Sequence, residues 1–253
     1  MDRKEAVIID REKCIGCGEC VRDCVTGHIE LEDGKAFVNA GRCIRCGHCF
    51  AVCPVAAVEL SEYDCSACMD YFDPAQLDAD KLLLAMKSRR SIRRFTDEPV
   101  SEEDVQRIIE AGRYCPTGSN SQNVHYIILD KVKAEAEKMA IEVLLQQPFF
   151  ARFYKAVPED FLFKGAPLVI LAAEKRQDNA ALASSYMELM ANALGLGVLY
   201  SGYFTGAANN SPELRELIGT PAGMEIVCCL VIGHPDVKYH RNVPREEAKL
   251  TVK

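Results

Sequence analysis

Eight cysteines near the N-terminus stand in two runs with one spacing, C-x2-C-x2-C-x3-C: Cys14, Cys17, Cys20 and Cys24, then Cys43, Cys46, Cys49 and Cys53. Each member of the second run lies 29 residues beyond its counterpart, so the unit is duplicated. Thiolates are soft ligands, and three of them two residues apart can wrap one iron–sulfur cube, while the fourth has already entered a helix that carries it away. Gly16, Gly18 and Gly47 suit a loop whose amides approach cluster sulfurs, because a residue without Cβ tolerates positive φ. Zinc would use two C-x2-C pairs and leave the third and fourth thiols of each run unexplained. An odd total of 13 cysteines argues against a disulfide scaffold, and no C-x-x-C-H is present for c-type haem.

The runs resemble those of bacterial two-cluster ferredoxins, in which the fourth cysteine of each run ligates the other cluster. The resemblance implies two [4Fe-4S] clusters, one held by Cys14, Cys17, Cys20 and Cys53, the other by Cys43, Cys46, Cys49 and Cys24.

A second chemical stretch is Lys87-Ser88-Arg89-Arg90-Ser91-Ile92-Arg93-Arg94-Phe95, with five positive charges and no acid. In a chain of net charge -7 this local excess calls for an anion, and guanidinium forks beside a hydroxyl suit a phosphate. A solvated basic face is the plainer alternative.

Arg89 to Phe95, followed by Pro99-Val100-Ser101, resembles the opening signature of the nitroreductase family of FMN flavoproteins. Cys115-Pro116-Thr117-Gly118-Ser119-Asn120-Ser121-Gln122 is similar to the family's second motif, with Asn123-Val124 where the family commonly has Pro-Trp. Gly195-Leu196-Gly197 through Ser201-Gly202 resembles the segment that passes beside the flavin ring. It closes a helix and enters a strand, the reverse of a dinucleotide fingerprint. The tail, with Gly233-His234-Pro235, Arg241 and Arg245, resembles the closing segment that returns to the FMN phosphate, Arg245 being the better match. The resemblance implies FMN anchored by Arg89, Arg90, Ser91, Arg93 and Arg245, bordered by Pro116, Thr117, Asn120 and Gln122, with Ser201 and Gly202 near the reactive ring edge. It implies no catalytic side chain, since the cofactor carries the redox chemistry.

These residues need elements to hold them. Residues 7–9, 29–31, 36–38 and 58–60 alternate like short paired strands, with Asp33-Gly34 as a turn, giving a ferredoxin-like βαβ–βαβ domain over 1–62. Residues 63–80 form an Asp-rich linker holding Cys65 and Cys68, read as structural thiols with a redox or extra ligand role as the alternative. Residues 81–253 form the nitroreductase-like domain, so the fold class is α+β with a mixed sheet flanked by helices. Ser101 caps a helix, 124–129 is a strand, 133–147 a helix, 166–173 a buried strand, 180–194 a long packing helix, Ser211-Pro212 a helix start and 225–233 a buried strand. The aromatic residues of 147–164 would cover the flavin in the family, or pack an ordinary core.

Hydrophobic residues make up 49% and charged residues 26%, which excludes disorder as the reading. A net charge of -7 argues against nucleic-acid binding. Only four apolar residues, Ala6 to Ile9, follow the charged start, and no run approaches a membrane span, so a cytoplasmic setting is expected. The composite expectation is a homodimeric oxidoreductase passing electrons from two clusters to FMN and on to a small acceptor such as a nitroaromatic or quinone. Its donor would be reduced ferredoxin or NAD(P)H. An electron-relay module serving a partner protein is the alternative from another class, and ring-modifying or dehalogenating chemistry the alternative on the same fold.

Overall fold

The computed structural model of the chain describes residues 6–154, 157–158 and 160–253. It divides into two compact units, one of residues 1–76 with 117–121 and one of 77–116 with 122–253.

In the first unit β1 (Val7–Ile9), α1 (Glu19–Arg22), β2 (Ile29–Glu32), β3 (Lys35–Val38), α2 (His48–Ala51) and β4 (Val58–Leu60) follow in order. β1 pairs antiparallel with β4, and β2 with β3. The β2–β3 turn is Asp33-Gly34 with φ of 51° and 71°, the two positive values that a type I′ hairpin requires and that Asp-Gly supplies. The duplication extends to the backbone. Left-handed residues recur 29 apart at Gly16 and Arg45, Gly18 and Gly47, and Gly27 and Ala56. A Cβ at Gly16 would lie 2.0 Å from the Gly34 carbonyl oxygen, so only glycine fits there. The core is small: Ala6, Val7, Ile29, Ala36, Ala57 and Val58 surround Cys14, Cys20, Cys43 and Cys49. So little apolar area is buried that the hydrophobic core alone is a thin source of stability for this unit.

The second unit comprises α3 (Ala79–Ser88), α4 (Glu102–Arg113), β5 (His125–Ile128), α5 (Lys133–Leu145), α6 (Pro148–Phe153), β6 (Leu168–Glu174), α7 (Gln177–Ala193), β7 (Gly197–Tyr200), α8 (Gly202–Asn209), α9 (Pro212–Leu217) and β8 (Glu225–Gly233). The sheet order is β5-β6-β8-β7, antiparallel throughout these strands, with a parallel bridge between Ser91 and Val198. β6 is buried on both faces and alternates between two cores. Val169, Leu171 and Ala173 join α5, α6, α8 and α9, while Leu168 and Ile170 join α4 and α7. Helices therefore cover both faces of one sheet. Ser101 caps α4 by accepting from the Asp104 amide at 3.1 Å, as its position in the sequence suggests. Gly197 lies so close to Ile92 that a Cβ there would sit 2.4 Å from Cγ1, which ties the basic segment to the sheet edge at β7.

One buried carboxylate makes a stability prediction. Glu137 of α5 accepts the Leu162 amide at 2.7 Å and the Phe163 amide at 2.8 Å. Burial pushes its carboxyl above the ordinary range, against the pull of those amides. The folded chain thus holds this proton to a higher pH than the unfolded chain. The group's contribution to stability is greatest below the ordinary Glu range and falls as pH rises through the folded value. Glu137→Gln, which still accepts both amides, should leave Tm at neutral pH equal or higher and flatten that dependence. Glu137→Leu orphans two buried donors and should cost about 1–3 kcal/mol, read by thermal unfolding across pH.

Candidate functional site

The first unit brings the eight cysteines together in the crossed arrangement expected. Cys14, Cys17, Cys20 and Cys53 line one cavity, and Cys24, Cys43, Cys46 and Cys49 line the other. The thiols also respond to one another in these groups. Burial, followed by the charges of Cys14, Cys17 and, more weakly, Cys53, pushes the Cys20 thiol up. Cys49 is pushed up to about 11 by burial, with Cys46, Cys43 and Cys24 contributing. Backbone donors oppose this at other sulfurs. Ala36 N–H donates to Cys14 Sγ at 3.4 Å and is the main reason that thiol lies below its ordinary value. Burial raises the Cys24 thiol, yet its hydrogen bonds with Thr26, His28 and Ile29 outweigh burial and bring it down.

Four soft thiol donors at each cavity suit iron–sulfur clusters. Among the described residues no three His, Cys, Asp or Glu side chains converge closely enough to hold one metal ion, although four thiols surround each cavity. Sulfurs set apart around a void match a body with several irons, each taking one thiolate. Cys65 and Cys68 line neither cavity; Cys65 Sγ accepts from the Leu60 amide at 3.4 Å and Cys68 is exposed.

The second unit offers two larger hollows. One, of about 750 Å³, runs along α5 and is lined, among the charged side chains of the described residues, by Glu135, Glu137, Glu142, Asp160 and Lys138. That excess of carboxylates would repel a phosphate. The other, of about 620 Å³, is lined by Arg93, Tyr154, Phe161, Leu162, Lys164, Leu199, Tyr200, Ser201, Gly202 and Tyr203. Its size lies within the range of small-molecule sites, and its walls are apolar with few polar points.

Each wall has a local cause. Arg93 follows Ile92, whose amide donates to the Val198 carbonyl at 3.0 Å and fixes the basic segment beside β7. Ser201 and Gly202 stand where β7 turns into α8, a helix not evident in the sequence. It forms because Phe204, Ala207 and Ala208, at i, i+3 and i+4, bury together. The amides of its first turn lack intrahelical acceptors, and Ser201 makes no side-chain cap. Aromatic rings close one side: Phe150 stacks on Tyr154 at 4.6 Å, and Tyr203 meets Phe150 edge-on at 5.2 Å. Lys164 Nζ sits 4.5 Å from the centre of the Phe161 ring, holding a second cation at the cleft.

Of the expected flavin contacts, Arg93, Ser201 and Gly202 meet in this cleft. Arg89 instead donates to Glu188 at 2.6 Å, in a half-buried pair. Arg90 donates to the Lys87 carbonyl at 2.8 Å, and Ser91 bridges Val198. Arg241 and Arg245 lie exposed on a C-terminal stretch without helix or strand. Pro116, Thr117, Asn120 and Gln122 do not line the cleft. Asn120 Nδ2 donates to the Arg45 carbonyl at 2.8 Å. Ser119, Asn120 and Gln122 have φ of 55°, 51° and 50°, a cluster of left-handed non-glycine residues of the kind stored at functional sites. Sequence reasoning gave Lys164, Leu199 and Tyr200 no individual site role, although it set the stretches that hold them beside the flavin.

A sequence profile described as the Nitroreductase family matches residues 86–234, and one described as a 4Fe-4S dicluster domain matches residues 6–54. Among relatives, "FMN reductase [NAD(P)H]" of Bacillus subtilis (strain 168) is 32% identical over 175 residues, covering 62% of this chain and 66% of the relative. "NADPH-flavin oxidoreductase" of Vibrio harveyi is 27% identical over 159 residues, covering 59% of this chain and 63% of the relative. The chain thus spans just under two thirds of the length of each. Among solved structures, a nitroreductase with bound FMN from Bacteroides fragilis NCTC 9343 superposes with a TM-score of 0.60 at 20% identity, over 68% of this chain and 99% of that one. That likeness shows a shared fold.

Proposed function

We propose, from the premise that this chain belongs to the nitroreductase family, that its FMN-binding unit receives electrons from two [4Fe-4S] clusters and delivers them to a small electron-poor acceptor such as a nitroaromatic or quinone. The observation that carries this reading is the cleft in which Arg93, Lys164, Ser201 and Gly202 meet an aromatic wall. Bound there, FMN would supply a centre that accepts electrons singly and releases them in pairs.

The chain's own residues bind, orient and exclude water. Arg93 lines the cleft and can fork onto a phosphate, whereas Arg89 is engaged by Glu188. Ser201 and the first amides of α8 offer polar contacts to the edge of a flat ring system. Tyr154, Phe161 and Tyr203 form an apolar wall on which a planar acceptor can lie. The relatives named for NAD(P)H support a nicotinamide donor at the flavin, while the cysteine cavities support a one-electron carrier such as reduced ferredoxin at the first unit.

A homodimer and a cytoplasmic setting belong to the same proposal. Leu82, Leu83, Leu84 and Met86 of α3 and Leu182 and Tyr186 of α7 are all exposed, an apolar area that a second copy would cover. Among the described residues no helix is long and apolar enough to cross a membrane.

Arg93→Ala tests the cleft assignment. Flavin affinity, measured by titrating FMN into flavin-stripped protein, should fall at least about tenfold with iron content unchanged. Wild-type affinity in this variant would move the phosphate elsewhere.

A further inference from the structure

The two cysteine cavities share a backbone but not their side chains. Val55 and Ala57 line the cavity of Cys14, Cys17, Cys20 and Cys53. At the positions 29 residues earlier, Thr26 and His28 line the cavity of Cys24, Cys43, Cys46 and Cys49.

His28 is only 1% exposed, and neither Nδ1 nor Nε2 has a hydrogen-bond partner among the described residues. A neutral imidazole always carries one N–H, and leaving it unpaired in the interior costs about 1–3 kcal/mol. The cavity it lines is where an acceptor would stand. Each site receives two backbone donors, His28 N–H to Cys24 Sγ at 3.2 Å and Arg45 N–H to Cys43 Sγ at 3.3 Å in one, Ala57 N–H to Cys53 Sγ at 3.2 Å and Ala36 N–H to Cys14 Sγ at 3.4 Å in the other. The differences are the ring and the Thr26 hydroxyl, which lies 3.6 Å from Cys24 Sγ where the other site has only Val55. A third unequal pair, Glu19 and His48, has side chains 44% and 61% exposed, so water screens its effect.

We infer that His28 presents a ring N–H to the cluster held by Cys24, Cys43, Cys46 and Cys49, and with the Thr26 hydroxyl makes that cluster the first of the two to be reduced. The inference rests on the two-cluster reading above. Hydrogen bonds to cluster sulfurs set the potential, because a donor stabilises the extra negative charge of the reduced form. One electron leaves an external one-electron reductant and one arrives at this cluster; no bond breaks and the ring keeps its proton. The chain thereby turns a duplicated, near-symmetric unit into an ordered pair.

The test uses the full chain, loaded anaerobically, with iron and sulfide counted and reduction followed by EPR at controlled potential. Wild type should hold about eight irons, the content of two four-iron clusters, and show two separate one-electron reductions. His28→Ala, which installs the residue of the sister repeat, and His28→Phe, which keeps the ring volume without a donor, should each weaken the earlier reduction. The expected change is at least about tenfold in its equilibrium, 59 mV for a one-electron couple, with the later reduction unmoved. His28→Gln, which restores an N–H, should recover part of the shift. Eight irons with both reductions unmoved in the Ala and Phe variants, or a shift of the later one, would overturn the inference and spare the two-cluster reading. Four irons per chain would overturn both.

Discussion

Gly202→Leu is expected to abolish flavin retention while leaving the chain at least as stable as before. Gly202 opens α8, lines the cleft and has no atom within 4 Å of where its Cβ would stand. A Cβ there meets no part of the fold, and a leucine relieves the conformational entropy that glycine brings to a helix. Its side chain occupies the space assigned to the flavin. Flavin per chain should drop at least about tenfold, with Tm equal or higher and iron unchanged. Gly206→Leu is the control, since Gly206 is equally open but does not line the cleft. Full flavin retention by Gly202→Leu would place the cofactor elsewhere, because here stability and binding are expected to move in different directions.

Cys53→Ala should remove one cluster, and it should be the cluster of the other run. Cys53 belongs by sequence with Cys43, Cys46 and Cys49, yet it lines the cavity of Cys14, Cys17 and Cys20. Three thiolates in an open corner hold a four-iron body poorly. Iron should therefore fall by about half, and the surviving EPR signal should be the one that His28→Ala shifts. Cys24→Ala should give the complement, losing the signal that responds to His28. Loss of the His28-linked signal in Cys53→Ala would show that each run serves its own cluster.

What was legible in the sequence was local. The cysteine spacing and its 29-residue repeat are covalent facts, and the cavities follow them residue for residue. Asp33-Gly34 and Ser101 act through turn and cap chemistry that neighbours hardly alter. The continuous apolar runs of β6 and β8 announce strands buried on both faces, but not that they lie side by side in the order β5-β6-β8-β7. From that order follows which side chains of β7, Leu199 and Tyr200, stand with Arg93 at the cleft.

α8 was missed because glycines at 202 and 206 lower its helix propensity, and burial of Phe204, Ala207 and Ala208 overrides them. Arg89 was legible as a cation and illegible as the partner of Glu188, 99 residues away on α7. His28 carried no motif at all. Its significance depends on the empty hydrogen-bonding capacity of a buried ring and on the alanine that stands in its place in the second repeat.

The central claim is that the clusters feed the flavin. It is tested most directly by mixing the anaerobically loaded chain with a one-electron donor, reduced ferredoxin, and timing the bleaching of the flavin band, in wild type and in a variant with Cys14, Cys24, Cys43 and Cys53 all changed to alanine. Bleaching by ferredoxin should be fast in wild type and lost in the cluster-free variant, while bleaching by NAD(P)H, if it occurs, should be the same in both. Equal rates with ferredoxin in the two proteins would contradict the account.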